Sequence, residues 1–176
     1  MTTLLGISGS LRRASTNTKL IRAAAGIFAA DTFVEADINL PLYNGDLEEA
    51  DGIPAVVQKL SDQIAAADAV IIATPEYNKA ISGALKNALD WVSRTKGNPW
   101  AGKPLAIMSA AAGRAGGERA QFSLRLAMMA FRPDIVQGPE VLVANSGQEF
   151  DEDDRLKGEK YNKQLGELMD ALKARI

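Results

Sequence analysis

The sequence predicts a doubly wound α/β domain, and three observations predict it. Five short β-rich runs recur along the chain, at residues 4–8, 33–36, 69–74, 105–109 and 141–144. The stretches between them place apolar residues at helical spacing. Runs such as residues 69–73 are apolar throughout rather than alternating, as expected of parallel strands covered by helices on both faces.

Taken in order, the first run, "LLGIS", is a strand, and a helix beginning near Asn17 turns Leu20, Ala24, Ile27 and Phe28 to one side. After the second strand, Pro54 stands where a first helical turn accepts it, and Val56, Leu60 and Ile64 form the inner face of the next helix. Pro75 closes the third strand. Ile81, Leu85, Ala88 and Val92 then mark a third helix, and Gly102-Lys103-Pro104 punctuates the approach to the fourth strand. Phe122, Leu126 and Met129 give the fourth helix its expected inner face; Leu165, Leu168, Met169, Leu172 and Ile176 give the last. The acidic stretch at residues 148–154 reads as the solvated first turn of that last helix, where carboxylates favour the helix dipole. No repeat or low-complexity segment interrupts this series, and one domain over residues 1–176 is expected.

Composition narrows the chemistry. A formal charge of −2 gives no basic footprint for nucleic acid. No apolar run approaches the roughly 20 residues that cross a bilayer, and no signal peptide opens the chain, so a cytoplasmic protein without membrane attachment is expected. The sequence contains no Cys and no His, which excludes serine–histidine and cysteine–histidine hydrolysis, disulfides and zinc sites built on those residues. Difficult chemistry would then come from an organic cofactor held by the protein.

The stretch "GSLRRAST", between the first strand and the first helix, is the first candidate for holding one. It lacks the G-x-G-x-x-G of dinucleotide sites and the Lys-Ser/Thr of nucleotide-triphosphate loops. Ser8, Ser10, Ser15 and Thr16, with Arg12 and Asn17, nevertheless open onto a helix whose free N–H groups attract an anion. That set suits a terminal phosphate, with Arg12 supplying charge-assisted bonds. The same residue types also turn a chain and cap a helix, and the segment alone leaves both readings open.

Two more loops fall on the same edge. "TPEYN", residues 74–78, offers a stiff turn at Pro75, a flat surface at Tyr77 and an amide at Asn78. "SAAAGRAGGERAQ", residues 109–121, offers Gly113, Gly116 and Gly117 for close backbone approach to a flat ligand. Ligands of doubly wound sheets sit beyond the carboxyl ends of the strands, so three such loops line one cleft.

"GSLRRASTN", "PEYNKAISGALKNALDW" and "GRAGGERAQ" together resemble the NADPH-dependent FMN reductase family, particularly its bacterial quinone, azo-dye and chromate reductases. The resemblance runs from Leu5 to about Gln121 in motifs and beyond that in layout. It implies a flavodoxin-like fold, with a five-stranded parallel sheet in the order 2-1-3-4-5 and helices on both faces. It implies FMN as cofactor and NADPH or NADH as hydride donor. It also implies a homodimer or homotetramer with the flavin near the subunit interface. Residue by residue, Ser10, Arg12, Ser15, Thr16 and Asn17 would hold the FMN phosphate. Pro75, Glu76, Tyr77 and Asn78 would border the isoalloxazine, and Ser109, Ala110, Ala111 and Gly113 would approach its other edge. Ala111 and Ala112 depart from the Ser and the larger residue common there, Lys79 stands where an aromatic is common, and Arg114 is expected on the lip of the loop.

The function this implies is a ping-pong reductase: NADPH reduces the flavin and leaves, and a quinone or similar small acceptor (free flavin, azo dye or chromate) takes the electrons. Backbone N–H groups of residues 113–117, before the fourth helix, would stabilise charge on the reduced ring. A flavodoxin-like electron carrier and a flavin-holding redox sensor remain alternatives.

Overall fold

The computed structural model describes Met1–Ile176. The chain alternates strands and helices: β1 (Thr3–Ser8), α1 (Thr16–Phe28), β2 (Thr32–Ala36), α2 (Gly45–Asp51), α3 (Ala55–Ala66), β3 (Ala69–Thr74), α4 (Gly83–Val92), β4 (Pro104–Ala110), α5 (Glu118–Met128), β5 (Asp134–Ile135), β6 (Val141–Val143) and α6 (Glu159–Lys173). The sheet is parallel in the order β2-β1-β3-β4-β5, with β6 also paired to β4. This is the flavodoxin-like order that the motif resemblance implies.

Because successive strand residues point to opposite faces, the apolar runs feed two cores. Ala69, Ile71 and Ala73 of β3 pack with Leu20, Ile21, Ala24 and Phe28 of α1 and with Leu165, Leu168, Met169 and Leu172 of α6. Val70 and Ile72 face the other way, against Leu60 and Ile64 of α3, Leu85, Ala88 and Leu89 of α4, and Leu124 and Met128 of α5.

Ile27, Val56 and Ile176, expected on inner faces, are exposed, and four larger features depart from the sequence reading. The fifth strand position is two short strands: β5 pairs with Pro104 and Leu105 at the start of β4, and β6 with Met108–Ala110 at its end. Pro139 lies in the gap and has no N–H to give to the ladder. α2 was not expected, since none of its residues is buried and no apolar stripe announces it. Phe122, Leu126 and Met129 are exposed, and Ala120, Gln121, Leu124 and Met128 face inward instead. Residues 148–154 do not begin α6. Asp151 accepts from the N–H groups of Asp153 and Arg155 at 2.9 and 2.8 Å, and Phe150 bridges to Leu156. These bonds close a turn around Asp151, and α6 begins only at Glu159.

Candidate functional site

The carboxyl ends of β1, β3, β4 and β6 share one edge, and the loops leaving them converge. The loop after β1 is pinned first: the Gly9 N–H donates to the Ala73 carbonyl at 2.7 Å, and the Ser82 hydroxyl donates to the Gly9 carbonyl. Ser82 also caps α4 by accepting from the Leu85 N–H at 3.1 Å. At the other end of the loop, Ser15 caps α1, its Oγ accepting from the N–H groups of Asn17 and Thr18 at 3.2 and 3.3 Å. The Arg12 N–H donates to Ser10 Oγ at 3.3 Å. The backbone N–H groups of Leu11, Arg13, Ala14 and Thr16 find no acceptor within the chain, and the Arg12 guanidinium is unpaired. Of these, Ala14, Thr16 and Arg12 line one space, so two free donors, a free cation and the positive end of α1 meet there, a cradle for an anion; Leu11 and Arg13 line a different hollow.

Asn17 does something else. It is buried, its Nδ2 donates to the Ala110 carbonyl and its Oδ1 accepts from the Ala110 N–H, both at 2.9 Å. The amide therefore ties the first loop to the end of β4. Thr16 Oγ1 donates to Ser146 Oγ at 3.1 Å and brings in the loop after β6.

The loop after β3 is a tight turn in which Tyr77 and Ala80 exchange backbone hydrogen bonds at 3.0 Å. Asn78 and Lys79 at its tip have φ of 49° and 66°, the left-handed pair of a type I′ turn. Tyr77 stands 53% exposed beside buried Pro75. Glu76 points away along the edge: its Oε2 accepts from the N–H groups of Arg119 and Ala120 at 3.1 and 3.3 Å, and so occupies the first turn of α5.

The loop after β4 is fixed by close packing. Gly116 and Gly117 have φ of 61° and 91°, and an added Cβ would lie 2.5 Å from the Leu142 carbonyl carbon or 2.8 Å from Ser109 Cβ. These glycines let the loop lie on β6 and β4 rather than on a ligand; Gly113 alone faces open space. Ser109 is fully buried, donating to the Gly116 carbonyl at 2.6 Å and accepting from Gln121 Nε2 at 3.0 Å.

The result is a cleft of about 430 Å³. It is lined by Ser10, Arg12, Ser15, Thr16 and Asn17 from the first loop, Pro75, Glu76 and Tyr77 from the second, and Ala110 and Ala111 from the third. Asn78, Ser109 and Gly113 lie outside this lining. So do Lys79 and Arg114; the latter opens into a separate hollow with Glu118, Glu140 and Tyr161. Ala112, within the loop expected at the ring edge, lines the cleft as well, and so do Ala14, Lys19, Ser146 and Gly147, for which the sequence reading has no lining role. For the last two a signal existed: "NSG" directly follows the final strand, on the edge where ligands bind. The cleft offers an anion cradle at one end and a half-open aromatic with small-residue walls at the other, a shape for a flat ring carrying a phosphate tail.

Residues 2–148 match the family described as NADPH-dependent FMN reductase. An NAD(P)H-dependent FMN reductase of Pseudomonas aeruginosa is 42% identical over 171 residues, covering 96% of this chain and 92% of that protein. A quinone reductase of Escherichia coli K12 is 40% identical over 137 residues, 76% of this chain and 73% of its own length. Among solved structures, FerB, a flavoenzyme NAD(P)H:(acceptor) oxidoreductase from Paracoccus denitrificans, superposes with a TM-score of 0.86 at 34% identity, covering 98% of this chain and 95% of that one.

Proposed function

Because the chain belongs to the NADPH-dependent FMN reductase family, we propose that it is an NAD(P)H-dependent reductase that holds FMN in this cleft and passes electrons to quinones or similar small acceptors. The observation that carries the reading is the anion cradle, with the free N–H groups of Ala14 and Thr16 and unpaired Arg12, opening toward Tyr77 and Pro75. FMN, when held there, would supply the two-electron chemistry between reduced nicotinamide and acceptor, in ping-pong order.

The chain's own residues bind and orient. Arg12 and the N-terminus of α1 neutralise the phosphate, the Ser10 and Ser15 hydroxyls donate to it, and Thr16, whose hydroxyl donates to Ser146, offers its free backbone N–H. Asn17 acts through Ala110, setting the distance between the phosphate loop and the β4 loop. Tyr77, with Pro75 behind it, borders the ring and limits water on that side, while Ala111 and Ala112 present methyl groups and backbone rather than a hydroxyl. Glu76 holds the β3 loop to α5 and leaves two first-turn N–H groups of that helix engaged.

The chain is further proposed to work as a homo-oligomer. Phe122, Leu126 and Met129 are 54%, 71% and 71% exposed along one face of α5, the helix whose first turn Glu76 joins to the cleft. A second copy is the occupant that the family resemblance implies for such a face.

An anaerobic titration of FMN-loaded protein with NADPH and with NADH tests the reading. Bleaching of the visible flavin band at one equivalent is expected. FMN that binds but stays oxidised would favour a carrier or sensor, and failure to bind FMN would remove the cradle from the account.

A further inference from the structure

Behind the phosphate loop lies a second cleft, of about 490 Å³, which shares Ser10 and Arg12 with the flavin site and is otherwise lined by different residues. Arg12 and Arg13 reach it from the loop, Arg22 from α1, and Glu35 and Asp37 from the end of β2. Two of these charges already match each other: Arg22 Nε and Nη2 donate to the two oxygens of Glu35 at 2.8 and 3.0 Å. That pairing holds the Arg22 pKa above its ordinary value, the Glu35 hydrogen bond outweighing desolvation.

Arg13 has no carboxylate partner. Asp37 accepts from the Asn39 N–H at 2.8 Å through one oxygen and leaves the other open. An unmatched guanidinium and an unmatched carboxylate therefore line one hollow without bonding each other. A ligand that satisfies both carries an anionic group and hydroxyl donors. A carboxylate just beyond the second strand stands where dinucleotide-binding sheets read ribose hydroxyls. Ser10 and Arg12 line both clefts, so the two hollows meet across the loop.

We propose that this second cleft takes the adenosine diphosphate end of the nicotinamide donor, with Arg13 on the pyrophosphate and the open Asp37 oxygen accepting from the adenosine ribose. The assignment rests on the reductase reading, which supplies the dinucleotide. Asp37 is then a specificity residue: its carboxylate accepts from a free 2′-hydroxyl and repels a 2′-phosphate, tilting the enzyme toward NADH.

The test uses FMN-saturated protein, so that the phosphate cradle is filled, and reads both binding and turnover. Calorimetry with ADP and with its 2′-phosphorylated form, which keeps the pyrophosphate, should show ADP binding more tightly, and Arg13→Ala should weaken ADP about tenfold, the loss of one charge-assisted contact. The same variant should raise KM for NADH by a similar factor with kcat little changed. Turnover of reduced nicotinamide mononucleotide, which lacks the adenylate, should not move. Asp37→Asn should raise the NADPH/NADH ratio of kcat/KM about tenfold and bring the two ADP affinities together. Both side chains are exposed, so the fold should survive either change. Unchanged ADP affinity and NADH KM in Arg13→Ala would overturn the assignment, as would an unchanged cofactor ratio in Asp37→Asn. Bound FMN that stays oxidised under both nucleotides would instead sink the reductase reading, and the assignment with it.

Discussion

Arg12 and Asn17 sit five positions apart at the same cleft, yet they act by different physics. Arg12 is exposed and unpaired, so its charge is available to a ligand; Asn17 is buried, with its amide on the Ala110 backbone. Replacing Arg12 by Ala should raise the dissociation constant for FMN about 10- to 100-fold, as expected for a charge-assisted bond worth about 1.5–3 kcal/mol. Because Arg12 is exposed and its guanidinium has no partner in the free protein, the melting temperature without FMN should change little. Lys at this position should recover part of the affinity, since it restores the charge but not the two-pronged geometry. Fluorescence quenching of FMN on binding measures both variants, and an unchanged constant in Arg12→Ala would separate the residue from the phosphate. Asn17 is the wrong position for that test, because any change there also moves the β4 loop.

α5 shows how one helix can carry two apolar stripes. At about 100° per residue, Phe122, Leu126 and Met129 cluster on one face, while Gln121, Leu124 and Met128 cluster more than a quarter turn away. Periodicity selected the first stripe as the core because the second contains a glutamine. Gln121 is buried all the same, since its amide donates to Ser109 and to the Val141 carbonyl. The stripe left outside is the proposed subunit contact, and Leu126→Glu should place a charge in its middle. Light scattering at micromolar protein is expected to show a dimer or tetramer for the natural chain and a smaller species for the variant. A natural chain that runs as a monomer would end the oligomer reading. Other elements were legible to the extent that burial left a pattern in them. β3 was placed to the residue, because an unbroken apolar run ends at Pro75. α2 buries nothing and left no pattern. The β5–β6 break follows from pairing along β4, which no local signal announces. At the cleft, the loops could be read from their position after strands, whereas side-chain direction could not: Ser109 and Glu76 turn to protein partners that only the folded chain supplies.

Across the whole molecule, the cleft is the point at which the loops of four neighbouring strands meet. The loops after β1, β3, β4 and β6 all line it, and α1 and α4, which frame it, belong to opposite cores. A ligand held there binds the folded chain and finds no equivalent in the unfolded one, so binding must raise stability by mass action. At a free FMN concentration of about one hundred times the dissociation constant, the gain is about 2.7 kcal/mol. For a chain of this size each kcal/mol is worth about 2–4 °C, so the melting temperature should rise by about 5–10 °C. Differential scanning calorimetry of flavin-stripped protein, with and without FMN, reads this directly. Arg12→Ala should need proportionately more FMN to reach the same shift, because only the affinity and not the unliganded fold has changed. Riboflavin, which keeps the ring but lacks the phosphate, should produce a much smaller shift at the same concentration if the cradle at the start of α1 carries the binding. Equal shifts from FMN and riboflavin would place the binding in the ring contacts around Tyr77 and leave Arg12 and the free N–H groups of Ala14 and Thr16 without a ligand.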